Sequence, residues 1–123
     1  MVMSDKLPVI SIDFKTRKRI RIHKTTLHLL EDPDYIQLLI NPTMQIIAVR
    51  KGNYNDPLSL RVDCKKIVRD SFELNSKELL HSLLMVYDSW EDGCSYRITG
   101  SFDDKNQVAQ FNICDMKRIR RSL

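Results

Sequence analysis

Two short segments of the sequence carry an excess of basic side chains. The first, from Lys15 to Lys24 (KTRKRIRIHK), has six formal positive charges and no acidic residue, and the second, from Lys117 to Arg121 (KRIRR), has four more. Because the whole chain of 123 residues has a net charge of +4, the rest of it nets −6. Guanidinium and ammonium groups bind phosphate oxygens, so such a concentration favours a polyanion as ligand. The alternative is a basic edge strand whose charges deter aggregation between sheets.

Other kinds of site find little support in the residue types and their spacing. The histidines, cysteines and glycines are His23, His28, His81, Cys64, Cys94, Cys114, Gly52, Gly93 and Gly100. The histidines lack the i, i+4 spacing of a helical metal site, and the cysteines lack the CxxC spacing of a zinc site. The glycines form no phosphate-cradling loop. We therefore expect no enzyme activity, no metal, no small-molecule cofactor, and reduced, buried thiols.

The first basic segment coincides with a predicted strand. Val9 to Phe14 and Arg19 to His23 both alternate apolar with polar side chains, which is typical of half-buried strands. On the second strand, the side chains opposite Ile20 and Ile22 are Arg19, Arg21 and His23, and Lys15 and Arg17 have the same parity just before it. Fully extended, the row from Lys15 to His23 would be about 26 Å long.

A helix, a hairpin and a loop complete the prediction for the first half. Lys24 to Leu30 is a short helix begun by a Thr cap and ended before a proline. Tyr35 to Ile40 and Gln45 to Lys51 form a hairpin, because the Asn-Pro-Thr-Met sequence between them supplies turn residues. Residues 52–57 form the clearest loop of the chain.

The second half follows a similar plan. Leu58 to Asp63 and Phe72 to Leu74 are predicted strands. A helix begins at Asn75, where a glutamate three residues later completes a capping box. Its apolar stripe is expected to face the core and consists of Leu79, Leu80, Leu83, Leu84 and Tyr87. Tyr96 to Phe102 and Gln107 to Ile113 then form a second hairpin.

The order of elements therefore repeats along the chain. PVISID parallels PLSLRVD, IRIHKTTLHLL parallels FELNSKELLHSL, and each pair of flanking strands has a counterpart. A single copy is too small for a stable core, so the copies should pack against each other. We predict a β-rich α+β fold of two tandem β-β-α-β-β repeats packed as a pseudo-dimer. The chain is then one domain (1–123), with repeat 1 at 8–51, repeat 2 at 57–115 and a basic tail at 116–123.

The repeats resemble a family of bacterial regulators. A basic strand, a short helix and a hairpin, as in KRIRIHKTTLHLLEDPDYIQLLINPTMQIIAVRK, are similar to the swapped-hairpin unit of the AbrB-type transcription regulators. Two such units in tandem resemble the MraZ proteins, whose Asp and Arg four residues apart correspond to Asp13 and Arg17. The resemblance covers residues 8–51 and 57–115. It implies an AbrB/MraZ-like barrel, and binding of double-stranded DNA by the basic strand and its following loop.

The predicted DNA contacts lie in the first repeat. They are Lys15, Arg17, Lys18, Arg19, Arg21, His23 and Lys24. Further contacts from the tail would come from Lys117, Arg118, Arg120 and Arg121. In the second repeat Glu73 stands where Arg21 stands in the first, so that repeat is expected to complete the fold. A homo-oligomer would then bring two first repeats to a repeated DNA site.

The sequence also indicates where the protein is found. The start MVMSDKLPV lacks the apolar run of a secretory signal, and no segment is long enough to span a bilayer, so we expect a cytoplasmic protein that does not bind membranes.

The competing interpretation is a protein-interaction module without nucleic-acid activity. In that case the acidic clusters EDPD and DSWED and the apolar hairpin edges would bind a partner protein. Aromatic residues make up 7% of the chain, which disfavours single-stranded RNA as a ligand.

Overall fold

A computed structural model gives the fold and describes residues 6–15, 18–74 and 77–119. In the first half, the elements are β1 (Val9–Phe14), β2 (Lys18–His23), α1 (Lys24–Leu29), β3 (Tyr35–Asn41) and β4 (Ile46–Lys51). These elements confirm the two predicted strands, the short helix and the hairpin of that half. Residues 52–57 contain no helix or strand, as expected of a loop.

The second half is built from shorter elements. They are β5 (Leu60–Arg61), β6 (Ile67–Val68), β7 (Ser71–Leu74), α2 (Lys77–Val86), β8 (Ser95–Thr99), β9 (Ser101–Asp103), β10 (Val108–Asn112) and β11 (Lys117–Ile119). Single 3₁₀ turns occur at Cys64–Lys66 and at Ile113–Asp115. The predicted strand at 72–74 and the predicted helix are therefore present.

The strands form two antiparallel sheets. The six-stranded sheet has the order β11-β8-β1-β2-β7-β6, and the five-stranded sheet has the order β5-β3-β4-β10-β9. Every strand pair that the structure describes is antiparallel. The coarse prediction of a strand-rich α+β fold is thus confirmed. In the described part of the chain the two sheets remain separate and do not close into a barrel.

Side chains from both sheets and both helices meet in one hydrophobic core. On β1 and β2 the buried apolar side chains alternate along each strand and are Ile10, Ile12, Phe14, Ile20 and Ile22. Phe72, Phe111 and Leu83 bring β7, β10 and α2 into the same cluster. Burying one side chain of this size stabilises a fold by about 1.5–3 kcal/mol. The core therefore fixes which face of β2 is turned outward.

The predicted Thr cap of α1 is wrong. His23 occupies the N-cap position, and its side chain makes no capping hydrogen bond. The Thr26 hydroxyl instead donates to the carbonyl of Val9 and accepts from its N–H, both at 2.9 Å. Thr26 is fully buried, so satisfying its hydroxyl through β1 outweighs a cap. The predicted cap at Asn75 lies outside the described residues.

The strand predicted from Leu58 to Asp63 is also wrong in extent, because only Leu60 and Arg61 form a strand there. The chain turns just before it: the Asp56 side chain accepts a bond from the N–H of Leu58, and the Asp56 carbonyl accepts one from Ser59. Asp in such positions competes with strand pairing by bonding nearby backbone groups. The alternation of apolar and polar residues in the sequence did not predict this turn.

The apolar stripe of α2 differs from the predicted one at its edge. Leu83 and Val86 are buried, and Leu80 and Tyr87 are partly buried against the core. Leu84, expected in the core, is 50% exposed. Residues three apart share a helix face, so Leu83 and Val86 fix the buried side and Leu84 falls outside it. The side chain of Leu79 is outside the described part.

The predicted strand from Tyr96 to Phe102 is divided at Gly100. Its first part, β8, pairs with β1, and its second part, β9, pairs with β10 in the other sheet. A Cβ atom at position 100 would lie 2.0 Å from the carbonyl oxygen of Gln110, so this close approach requires glycine. Gly100 thereby allows the chain to pass from β8 in the six-stranded sheet to β9 in the five-stranded sheet. Arg97, on β8, therefore belongs to the six-stranded sheet.

Candidate nucleic-acid interface

The basic strand β2 lies inside the six-stranded sheet. It pairs with β1 on one side and with β7 on the other, so the interpretation of a basic edge strand is wrong. Ile20 and Ile22 face the core, and Arg19, Arg21 and His23 project from the opposite face, as the alternation predicts. The core packing of the isoleucines therefore holds these three polar side chains in a fixed row.

A buried carboxylate lies beneath this row. Asp13 of β1 is 2% exposed, and its Oδ2 accepts a hydrogen bond of 2.8 Å from Nε of Arg19. Nε of Arg21 lies 3.2 Å from the same oxygen. Arg19 also donates from Nη1 to Oε1 of Glu73 on β7, at 2.8 Å. Arg19 is thus hydrogen-bonded to two carboxylates, and Arg21 forms an ion pair with one of them without a hydrogen bond from its Nε. The alternation pattern did not predict these pairs.

The arginines keep Asp13 ionised. Burial alone would raise the pKa of Asp13, but the hydrogen bond from Arg19 and the positive charges of Arg21 and Arg19 outweigh it and lower that pKa. The bond to Asp13 correspondingly raises the pKa of Arg19. Asp13 is therefore a permanent carboxylate at neutral pH and orders the two guanidinium groups above it.

His23 stands at the other end of the row. Its Nε2 lies 2.9 Å from the hydroxyl of Ser11 on β1. Burial lowers the pKa of His23, and the positive charges of Arg97 and Arg21 lower it further, against a smaller opposite effect of Asp70. His23 is therefore a neutral hydrogen-bonding group at neutral pH rather than a cation.

Three lysines of the first basic segment differ from Arg19 and Arg21 in lacking an ion pair within the part of the chain that the structure describes. Lys15 follows β1, Lys18 begins β2 and Lys24 begins α1, and none of them forms an ion pair among the described residues. Lys18 and Lys24 are exposed, and Lys15 is half-buried. Lys24 follows Lys18 by six positions, which is about 20 Å along an extended strand. Cations therefore stand at both ends of β2.

The remaining predicted contacts have different settings. Lys117 and Arg118 belong to β11, which pairs with β8 at the edge of the six-stranded sheet. Arg118 forms an exposed ion pair with Glu91. Three predicted contacts, Arg17, Arg120 and Arg121, lie outside the described residues.

One further basic residue, Arg97, belongs to this surface and is not among the contacts predicted from the sequence. Arg97 of β8 stands directly opposite Ser11 of β1, on the face away from the core. We call this outward side of the six-stranded sheet the basic face; its basic side chains and histidine are Arg19, Arg21, His23, Arg97 and Lys117. The acidic side chains of Asp13 and Glu73 project from the same side. The alternation of Tyr96, Arg97 and Ile98 indicated an outward arginine, but it did not indicate the pairing of β8 with β1.

The structure also bears on the metal and thiol expectations. The part of the chain that the structure describes holds no group of three or more His, Cys, Asp or Glu side chains placed to bind a metal ion. Cys94 is half-buried and Cys114 is exposed, so the expectation of buried thiols is wrong for Cys114. Within the described ranges, neither helix has the length and apolar character needed to cross a bilayer.

Comparisons of the chain with protein-family models, with curated proteins and with solved structures find no match.

Proposed function

We propose that the protein binds double-stranded DNA through the basic face and the lysines at the two ends of β2, and that it acts as a small bacterial transcription regulator. The observation that carries this proposal is the setting of β2. Two isoleucines fix it in the core, while Lys18 and Lys24 are exposed at its ends without an acidic partner in the described ranges. The strand thus holds two cations about 20 Å apart, a fixed spacing that suits the phosphates of a duplex. Lys18 stands opposite Phe14, on the side of β2 that faces the core, and it is exposed because the strand begins there.

The lysines and the arginines have different roles in this proposal. Lys15, Lys18 and Lys24 would neutralise phosphates as flexible point charges. Arg19 is hydrogen-bonded to Asp13 and Arg21 is ion-paired with it, and about 29% and 28% of their side-chain surface reaches solvent. An ordered guanidinium loses little further entropy on binding, and its outer N–H groups can bond a phosphate or a guanine edge.

The strand pairing supports the two-repeat architecture that belongs to this proposal. β1 of the first repeat pairs with β8 of the second, and β5 of the second pairs with β3 of the first. β2 pairs with β7 so that Arg21 stands opposite Glu73, its counterpart in the repeat. Such reciprocal pairing is expected of an intramolecular pseudo-dimer in which each repeat completes the sheet of the other.

Oligomerisation forms part of the same proposal. β1 and β7 occupy both edges of β2, so two copies would associate through another surface and present two basic faces to a repeated DNA site. A regulator of this kind acts in the cytoplasm, where bacterial DNA is found.

Titration of a short labelled duplex by fluorescence anisotropy, at a series of salt concentrations, tests the proposed function. With about 4 to 6 phosphate contacts, the logarithm of the affinity should fall with the logarithm of the salt concentration at a slope of about −4 to −5. Absence of binding at low salt, or a slope near zero, would overturn the proposal. The competing interpretation gains support if affinity capture then recovers one stoichiometric protein partner and no nucleic acid.

Neutralising Glu73 is expected to strengthen binding. Glu73→Gln releases Arg19 from one of its two ion pairs and makes the basic face more positive by one charge. If Arg19 gains one phosphate contact, the affinity should rise up to about eightfold at about 0.1 M salt. The matched control is Asp104→Asn, which makes the same charge change in the turn between β9 and β10. Equal effects of the two variants would contradict the placement of the DNA at the basic face.

A further inference from the structure

The basic face continues from β2 into the second half of the chain. The pairing register places Lys117 opposite Arg97, Arg97 opposite Ser11, and Ser11 opposite Arg21. Residues directly opposite each other project from the same face, and neighbouring strands lie about 4.8 Å apart. Lys117, Arg97 and Arg21 therefore form a row of three cations across four strands, about 14 Å long at the backbone. Glu73, opposite Arg21 on β7, ends this row with a negative charge.

Arg97 and Lys117 are positive charges that stand directly opposite each other on neighbouring strands. Both are exposed, and neither forms an ion pair among the described residues, in contrast to Arg19 with its two acidic partners. Like charges directly opposite on a sheet destabilise it. The arrangement therefore costs stability unless an anion lies between the two side chains.

The two cations line a shallow cleft that could admit such an anion. The cleft has a volume of about 420 Å³, and its lining residues are Arg97, Thr99, Cys114, Asp115, Met116 and Lys117. Asp115 contributes one negative charge against two positive ones, so the lining is net positive. The Thr99 hydroxyl adds a neutral hydrogen-bond donor.

The field of Arg97 also reaches β2. After burial, the charge of Arg97 is the largest contribution to the lowered pKa of His23, ahead of that of Arg21, which is on the same strand as His23. Charges from the two halves of the chain thus act on the same part of the face.

We infer that Arg97 and Lys117 together bind one phosphate of the DNA backbone, beside the phosphate contacted by Arg21. This inference rests on the proposed function and adds the second half of the chain to the DNA-binding surface. The Arg97 guanidinium can hold two phosphate oxygens at once, and the Lys117 ammonium adds a point charge. The second half would then bind DNA as well as complete the fold.

The test compares two double variants that remove the same charge. Arg97→Ala with Lys117→Ala removes the cleft cations, and Arg61→Ala with Lys105→Ala removes two exposed cations from the five-stranded sheet and its β9–β10 turn. Losing one phosphate contact should make the salt slope less negative by about 0.9 and weaken duplex binding about eightfold at about 0.1 M salt. The control pair should change the affinity by less than about twofold, since exposed charges far from the DNA are screened.

The outcomes separate the two proposals. If the wild type binds with a steep salt slope and the cleft variant behaves like the control, the inference about Arg97 and Lys117 is wrong and the proposed function stands. If the wild type does not bind the duplex, both fail. Thermal unfolding of the cleft variant should show no loss of stability, because a repulsive pair has been removed. Should that variant fold poorly, Arg97→Gln, which keeps the side-chain length, must still flatten the salt slope.

Discussion

Replacing Lys15, Lys18 and Lys24 together with alanine is expected to weaken duplex binding by about 100-fold or more at about 0.1 M salt. Each phosphate contact contributes about 0.9 to the salt slope, so the slope should move from about −4.5 to about −2. None of the three lysines has an ion-pair partner in the described ranges, so the free energy of unfolding should change by less than about 0.5 kcal/mol at each site. Anisotropy titrations and denaturant unfolding measure the two quantities.

A second triple variant separates position from charge. Lys51, Arg61 and Lys105 lie on β4, on β5 and in the turn between β9 and β10, and their replacement with alanine removes the same total charge. Lys51 forms a surface pair with Glu31, which contributes little to stability. If both triple variants weaken binding equally, the net charge of the protein accounts for the affinity and the site assignment is wrong.

Replacing Asp13 with alanine is expected to lower the free energy of unfolding by about 3 kcal/mol, near the lower end for breaking a buried ion pair. Asp13 is almost fully buried and bonds Arg19, with Arg21 close by. Without the carboxylate, the two guanidinium groups repel each other over an uncharged site. Their partial access to water keeps the effect from being larger. Denaturant unfolding of the two proteins gives the difference directly.

The charge and the shape of Asp13 can be separated. Asp13→Asn keeps an oxygen that can accept from Arg19 but removes the charge, so its loss of stability should be intermediate. Because the folded-state pKa of Asp13 is lowered, its contribution is present above the ordinary value of 3.8 and is lost as the pH falls through the folded-state pKa. The stabilities of wild type and Asp13→Asn should therefore converge in acid. An Asp13→Ala variant no less stable than Asp104→Ala, which changes an exposed turn residue, would contradict this role.

The elements that carry the site could be predicted because their patterns are local. Alternation along β1 and β2 identified both strands and the outward face of Arg19, Arg21 and His23, since the pleat of a strand has a period of two. The hairpin of β3 and β4 could be predicted from its turn residues, which are also a local pattern. These features depend on neighbours in the sequence.

The partners of the basic residues depend on contacts distant in the chain. Arg19 bonds Glu73, which is 54 residues away, and Arg97 reaches the basic face only because Gly100 lets β8 leave the second hairpin and pair with β1. The sequence shows which residues are charged but not which strand lies beside which. The basic segment itself contains no acidic residue, so its sequence does not indicate the acidic groups that the structure places against Arg19 and Arg21.

If the basic face contacts DNA, amide chemical-shift mapping reveals the contact residue by residue. The uniformly ¹⁵N-labelled protein is titrated with a short duplex at low salt. We expect shifts at β2, β8 and β11 and at Lys15 and Lys24, with little change on β3, β4 and β10. Shifts concentrated on the five-stranded sheet or on α2, or no shifts at all, would mean that DNA does not bind the basic face.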